Sequence, residues 1–401
     1  MVLYAVAALV SLGMGSVFAL LAELQDAHDL PTWSLGLVSA SAFIAALVVQ
    51  LTLARYADRG HGGLILKAGV ACASLSLFWF GFATELWQLV AARALLGAGS
   101  GLFLPAARRA VIIADPSRQA ERLGTLYGAF LGGFVFGPPI AAFVAERTNL
   151  HVPFLGLGGI IALGLVGLVG VRVPGSDGPA TSSKGVLRQL ARNRTVLAAV
   201  LVVIAFRFSI GVFEPIWARF LTDKGASTFV IGLSLTVFAA PMIVVAPIGG
   251  RFADRHGARW ASLVAGCATV PFMASYGWFS SVVVISGLAL AHGLFEAIES
   301  PGSQAAVADA APREHAAAAQ GLAEAGGSAA AAIAALATAP FYAWAGAEWT
   351  WMAAAAVMAA VFGLSALLDP PQRRTLGEGG RPGPLRTDRL AGAGAGAEAV
   401  P

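Results

Sequence analysis

A histidine and two glutamates, His292, Glu296 and Glu299, stand at i, i+4 and i+7 inside a run that is otherwise apolar. That spacing puts all three on one stripe of an α-helix. A carboxylate held away from water can take up and release a proton near neutral pH, and histidine titrates there unaided. Other apolar runs carry Arg93, Glu324, Glu23 near the end of its run, and the pair Arg207 and Glu214, which are two turns apart on one face. Charge inside hydrocarbon is costly by several kcal/mol, so each is a functional candidate. We expect Glu296 to carry an exchangeable proton, with His292, Glu214 or Glu324 as alternates, and Arg93 and Arg207 to set the charge around it. Glu23 and Glu299 fall close enough to the ends of their runs to sit at the membrane interface. The same stripe matches metal-ligand spacing, but carboxylate-rich helical stripes serve many purposes, and no metal is expected.

The elements that must position these groups follow from composition. The 401 residues are 57% hydrophobic and 12% charged, with a mean hydropathy of +0.75. That is a bilayer composition. The net charge of +4 sits in short clusters between apolar runs and not along one face, so no nucleic-acid partner is expected. Cys72 and Cys267 lie in apolar segments without partners at disulfide or zinc spacing, and read as small packing residues. The apolar run from Val2 has no basic leader and is too long for a signal peptide, so it reads as a retained first helix.

Crossing a hydrocarbon core takes about 20 apolar residues, and such spans occur near 2–24, 33–54, 64–84, 87–107, 123–145, 151–171, 195–218, 227–249, 259–277, 280–300, 317–342 and 349–368. With the N-terminus in the cytoplasm, 21 of the 26 Lys and Arg residues fall in inner loops and the tail, as the positive-inside rule requires. Arg147, Arg219 and Lys224 remain outside, and Arg93 and Arg207 lie within spans. The expectation is an all-α, multi-pass membrane protein. Residues 1–172 form one six-helix bundle, 173–194 a cytoplasmic linker, 195–368 a second bundle and 369–401 a disordered cytoplasmic tail.

The two bundles are related by an internal repeat. Ala54-Arg55-Tyr56-Ala57-Asp58-Arg59 returns as Gly250-Arg251-Phe252-Ala253-Asp254-Arg255 at a spacing of 196, and the same register lays Pro105 over Pro301. Gly250, Asp254, Arg255, Gly257 and Arg259 match the pattern Gly-x-x-x-Asp-Arg-x-Gly-x-Arg, whereas the first copy keeps Asp58 and Arg59 but has Ala54 at its first glycine. On these residues the chain resembles a twelve-helix member of the major facilitator superfamily, which implies two pseudo-symmetric six-helix bundles. In that family the turn is thought to latch the cytoplasmic face in the outward-facing state. The resemblance also implies that the first helix of each three-helix repeat lines a central cavity, and every intramembrane charge except Glu324 falls on such a helix.

Two further patterns agree. Arg93, Gly97 and Gly99 reproduce the family's Arg-x-x-x-Gly-x-Gly in the fourth span. No strand precedes these glycines, so a dinucleotide loop is not indicated, and small residues there allow close helix approach. In the fifth span Gly124, Gly133, Gly137 and Pro138 resemble the signature of proton-coupled drug antiporters, with Ala141 and Ala142 in place of its last two glycines. The glycines make a packing groove and the proline can bend the helix, which suits rocking of one half against the other.

The resemblance implies a secondary transporter, most simply a proton-driven efflux antiporter of small amphipathic compounds. It would act as a monomer in the cell's inner (plasma) membrane, without a cofactor and with the proton gradient as its energy source. Phe206, Phe208, Phe213, Trp217 and Phe295 are placed to form apolar cavity walls. Uptake or export of one defined metabolite, such as a sugar or amino acid, is the alternative on the same fold. An enzyme is not expected: no phosphate-binding Gly-Lys-Ser/Thr loop is present, and the polar segments are too short to fold alone.

Overall fold

The structure, a computed structural model, describes residues 1–56, 61–114, 118–170, 184–312 and 315–369. Inside hydrocarbon each backbone N–H and C=O must find a partner within its own segment, so long apolar runs become helices. In chain order these are α1 (Val2–Ala27), α2 (Trp33–Tyr56), α3 (Gly62–Phe82), α4 (Leu86–Ala114), α5 (Gln119–Arg147) and α6 (His151–Gly167). The second half holds α8 (Arg194–Asp223), α9 (Thr228–His256), α10 (Ala258–Ser275), α11 (Val282–Ala310) and α12 (Ala316–Leu368). Between the halves lies the short α7 (Lys184–Leu190), inside the segment read as a linker, where Leu190 joins a buried cluster with Val196, Ala253 and Ala306. Residues 171–183 and the tail from 370 lie outside the described residues.

Helix α12 runs for 53 residues where two spans and a loop were expected. Its helical turns continue on both sides of Gly346, whose φ of 78° and ψ of −179° break the path without a loop. Only glycine adopts that backbone without strain. Stretches 316–345 and 347–368 are therefore two crossings, and the described residues hold twelve α-helical stretches once α7 is set aside. Among the described residues nine helices are long and apolar enough to cross a membrane, with α12 counted once. The remaining two crossings are the 17-residue α6 and the 18-residue α10, which carries Pro271 within it.

The halves repeat one packing scheme. Gly97 brings α4 onto the backbone of Ala42 in α2, and Gly293 brings α11 onto the carbonyl of Phe238 in α9. Both partners of the second contact lie 196 residues beyond those of the first. A side chain at either glycine would collide with backbone. The halves meet where α2 packs on α12 and α5 on α9, with Gly36 against Ala335 and Gly232 against Pro138 and Pro139. These contacts lie in the half of the bundle away from the termini.

The outer surface is apolar, as contact with lipid demands: Leu163, Val283 and Leu367 are largely exposed. Cys72 is half-buried, but Cys267 lies on the exposed face of α10 and is not a packing residue. The exposed tryptophans Trp33, Trp87, Trp278, Trp344 and Trp349 gather at the end away from the termini, where amphipathic rings anchor at a membrane interface.

Candidate functional site

The first of the intramembrane charges lies on α4. Arg93, 4% exposed, reaches across to Glu214 on α8, 6% exposed. Its Nε donates to Glu214 Oε1 at 3.2 Å and its Nη2 donates to the same oxygen. This ion pair joins the two halves about 10 to 14 Å below the end away from the termini, counting 1.5 Å per residue along each helix. Removing one partner of such a pair strands the other charge out of water.

A second pair lies wholly in the C-terminal half and nearer the termini. Arg207 Nη2 on α8 donates to Glu324 Oε2 on α12 at 2.6 Å, and Gln304 on α11 donates to the other oxygen of Glu324 at 3.2 Å. Gln320 in turn donates to the Gln304 carbonyl at 2.7 Å. The side chains of Arg207 and Glu324 are 31% and 25% exposed, so this charged pair is open to a ligand in a way the first is not.

The His292, Glu296, Glu299 stripe on α11 turns into the body of the same half. Ser209 on α8 donates to Glu296 Oε1 at 3.1 Å, and His292 Nε2 stands 3.4 Å from that oxygen, outside hydrogen-bond alignment. Tyr276 OH lies 3.0 Å from His292 Nδ1. Glu299 was expected at the interface, yet it is 1% exposed and its Oε1 has no partner. The reason is rotational: i+7 returns to the same face as position i, and that face of α11 packs against α10. Among the described residues no three His, Cys, Asp or Glu side chains are arranged to hold a metal.

Of the aromatic residues expected as cavity walls, Phe206, Phe213 and Trp217 are buried and Phe208 and Phe295 half-buried. Phe213 sits with Trp217, Phe238, Tyr276, His292 and Trp351 around it, at ring-centroid distances of 5.1 to 5.7 Å. Phe213 thus lies against His292 with Phe238, Phe272 and Tyr276, and Trp217 backs it from the other side of the cluster through Phe213 and Tyr276. Phe295 stacks on Phe272 at 5.8 Å.

Of the repeated turn, Asp58 and Arg59 lie outside the described residues. In the second copy Gly257 (φ 97°) is the single residue between α9 and α10, and its N–H caps α9 by donating to Ala253. Arg259 donates to the Ser365 carbonyl at 2.7 Å and to Asp369 at 2.6 Å. It therefore caps the end of α12 within its own half, adding a charged donor to a carbonyl that also accepts the Asp369 N–H at 3.4 Å. Gly250 has open space where a side chain would sit, and Asp254 and Arg255 are exposed. In α5, Gly133 and Gly137 press on the backbone of Ala8 and Leu12 in α1, whereas Gly124 faces open space. The groove thus serves packing within the N-terminal half, and Pro138 with Pro139 makes the contact to the other half. Sequence reasoning missed Ser209, Tyr276, Gln304 and Gln320, since neutral polar residues give no signal in one dimension.

This arrangement, two six-helix halves tied by a buried ion pair, agrees with the family comparison. The sequence model described as Major Facilitator Superfamily matches residues 3–217 and 199–395. The chain belongs to the major facilitator superfamily. It is an integral, multi-pass membrane protein. Among its superfamily relatives is the multidrug resistance protein MdtG of Proteus mirabilis, 25% identical over 243 residues, which are 58% of this chain and 60% of that protein. The quinolone resistance protein NorA of Staphylococcus aureus is 25% identical over 230 residues, 56% of this chain and 58% of its own. The chain thus spans less than two thirds of the length of these relatives. A bacterial homolog of the human lysosomal transporter Spinster, in an inward-facing and occupied conformation, superposes with a TM-score of 0.78 at 13% identity, over 92% of this chain and 95% of that one. At that identity the likeness is one of fold.

Proposed function

We propose that this chain is a proton-coupled exporter of small amphipathic compounds. It works by alternating access in the cytoplasmic membrane, as a monomer with both termini in the cytoplasm. The observation that carries this reading is the setting of Glu296, 2% exposed and bonded to Ser209, without an arginine or lysine partner among the described residues. Glu214 and Glu324 each pair with an arginine. Glu296 shares that lack of an arginine or lysine partner with Glu299, and the bond to Ser209 on α8 is the reason to assign the coupling proton to Glu296. Its bond to Ser209 ties α11 to α8, so protonation alters the joint between two cavity helices. Arg93 and Glu214 keep the halves together while substrate enters from the cytoplasmic side, because the contacts between halves described above lie toward the other end. Relatives named for multidrug and quinolone resistance support export over uptake.

In proteoliposomes, Glu296→Gln should abolish transport driven by a pH gradient while the protein stays monodisperse. Unchanged coupling would sink the assignment. The partly exposed Arg207, Glu324, Gln304 and Gln320 network favours a second reading, export or uptake of one polar metabolite held by directional hydrogen bonds. Proton flux measured against a mixed panel of amphipathic compounds, sugars and amino acids separates the two readings.

A further inference from the structure

At the end of the bundle away from the termini, polar groups of one half reach the other. Arg219 on α8 donates from Nη1 to Asp26 on α1 at 2.6 Å and from Nε to Asp223 at 2.9 Å. Tyr342 on α12 donates to the other Asp223 oxygen at 2.8 Å, so Asp223 holds Arg219 and the tyrosine together. Thr228, at the head of α9, donates its hydroxyl to Glu23 on α1. Glu146, near the foot of α5, accepts the backbone N–H of Phe229 at 2.7 Å. That N–H is one of those a helix start leaves without a partner.

The internal register sorts these groups into matched positions. Adding 196 carries Glu23 onto Arg219, Thr32 onto Thr228, and Glu146 onto Tyr342. Thr32 and Arg219 line one cavity of about 480 Å³, together with Gln25, Asp223 and Tyr342. The seam beneath obeys the same rule, because Gly36 against Ala335 maps onto Gly232 against Pro139. The threonine is kept between halves, whereas the acid Glu23 stands where the base Arg219 stands in the other half and Glu146 where Tyr342 stands.

We propose that these contacts form a two-fold latch that holds this end of the transporter closed, with Arg219 as its pin. An exposed ion pair contributes little alone, but Arg219 lies between two carboxylates. Its loss turns an attraction across the halves into repulsion between Asp26 and Asp223. The proposal rests on the alternating-access part of the function above, and on neither its proton nor its substrate.

The test uses the full chain in nanodiscs, with Cys72 and Cys267 replaced by Ser and spin labels on Ala27→Cys and Ala343→Cys, exposed positions on opposite halves. Pulsed electron paramagnetic resonance should give one short distance in this background. Arg219→Gln should raise the long-distance fraction about fivefold, the effect of an ion pair at the top of the exposed range. Asp26→Asn should move it the same way by less, and Glu85→Gln, exposed at the same end, should not move it. Should Arg219→Gln fail to stay monodisperse, Asp26→Asn decides, since it leaves Arg219 paired with Asp223. An unchanged distribution in Asp26→Asn, or an equal shift in Glu85→Gln, overturns the latch. Distances are read without substrate or gradient, so a failed Glu296→Gln transport test leaves this result standing.

Discussion

The two halves share a scaffold and divide the chemistry unequally. At the register of 196, Gly97 and Gly293 make the same helix contact, as do Gly36 and Gly232. At the same register His292, Glu296 and Glu299 face Leu96, Ser100 and Phe103, while Arg207, Glu214 and Glu324 face Ser11, Phe18 and Gly128. Arg93 reverses the pattern, standing over Ala289. Close packing needs the same small residue on both sides, because a Cβ has nowhere to go. A buried charge needs only a partner, so one set suffices and the other half supplies the single guanidinium that ties it in.

This contrast can be broken by experiment. The largest effect is expected from Glu214→Ala, which leaves Arg93 unpaired out of water and should cost about 3–5 kcal/mol of stability. Arg93→Met combined with Glu214→Leu should recover most of it, read as thermal unfolding in detergent. Next, Gly97→Leu and Gly293→Leu should each destabilise by about 1–3 kcal/mol through overpacking. Equal losses support a shared scaffold, and a tolerant Gly293 would break the equivalence. The smallest effect belongs to Tyr276→Phe, which gives the C-terminal half the residue type of its counterpart Phe80. It removes the contact to His292 Nδ1 and should cost about 1 kcal/mol by the same measurement.

Much of the architecture was legible in one dimension. Run length gave the crossings, and the repeated Asp-Arg turn gave the two halves. The break at Gly346 was not legible, because an isolated glycine among 48 does not declare a positive φ. The site was legible as a set of candidates. Which charge meets which was not: Arg93 and Glu214 are 121 residues apart, and Glu299, near the end of its run, turned out buried.

By itself the sequence determined that this chain crosses a membrane many times, in two related halves, with ionisable groups concentrated in the second. Hydrocarbon enforces this, since a backbone without water must pair within its own helix and charges there stand out. Tertiary structure alone decided that Glu214 pairs with Arg93, that Glu296 answers to Ser209, and that Arg219 spans the halves. Those pairings depend on how each helix is rotated about its axis, and that rotation is set by neighbours distant in the chain.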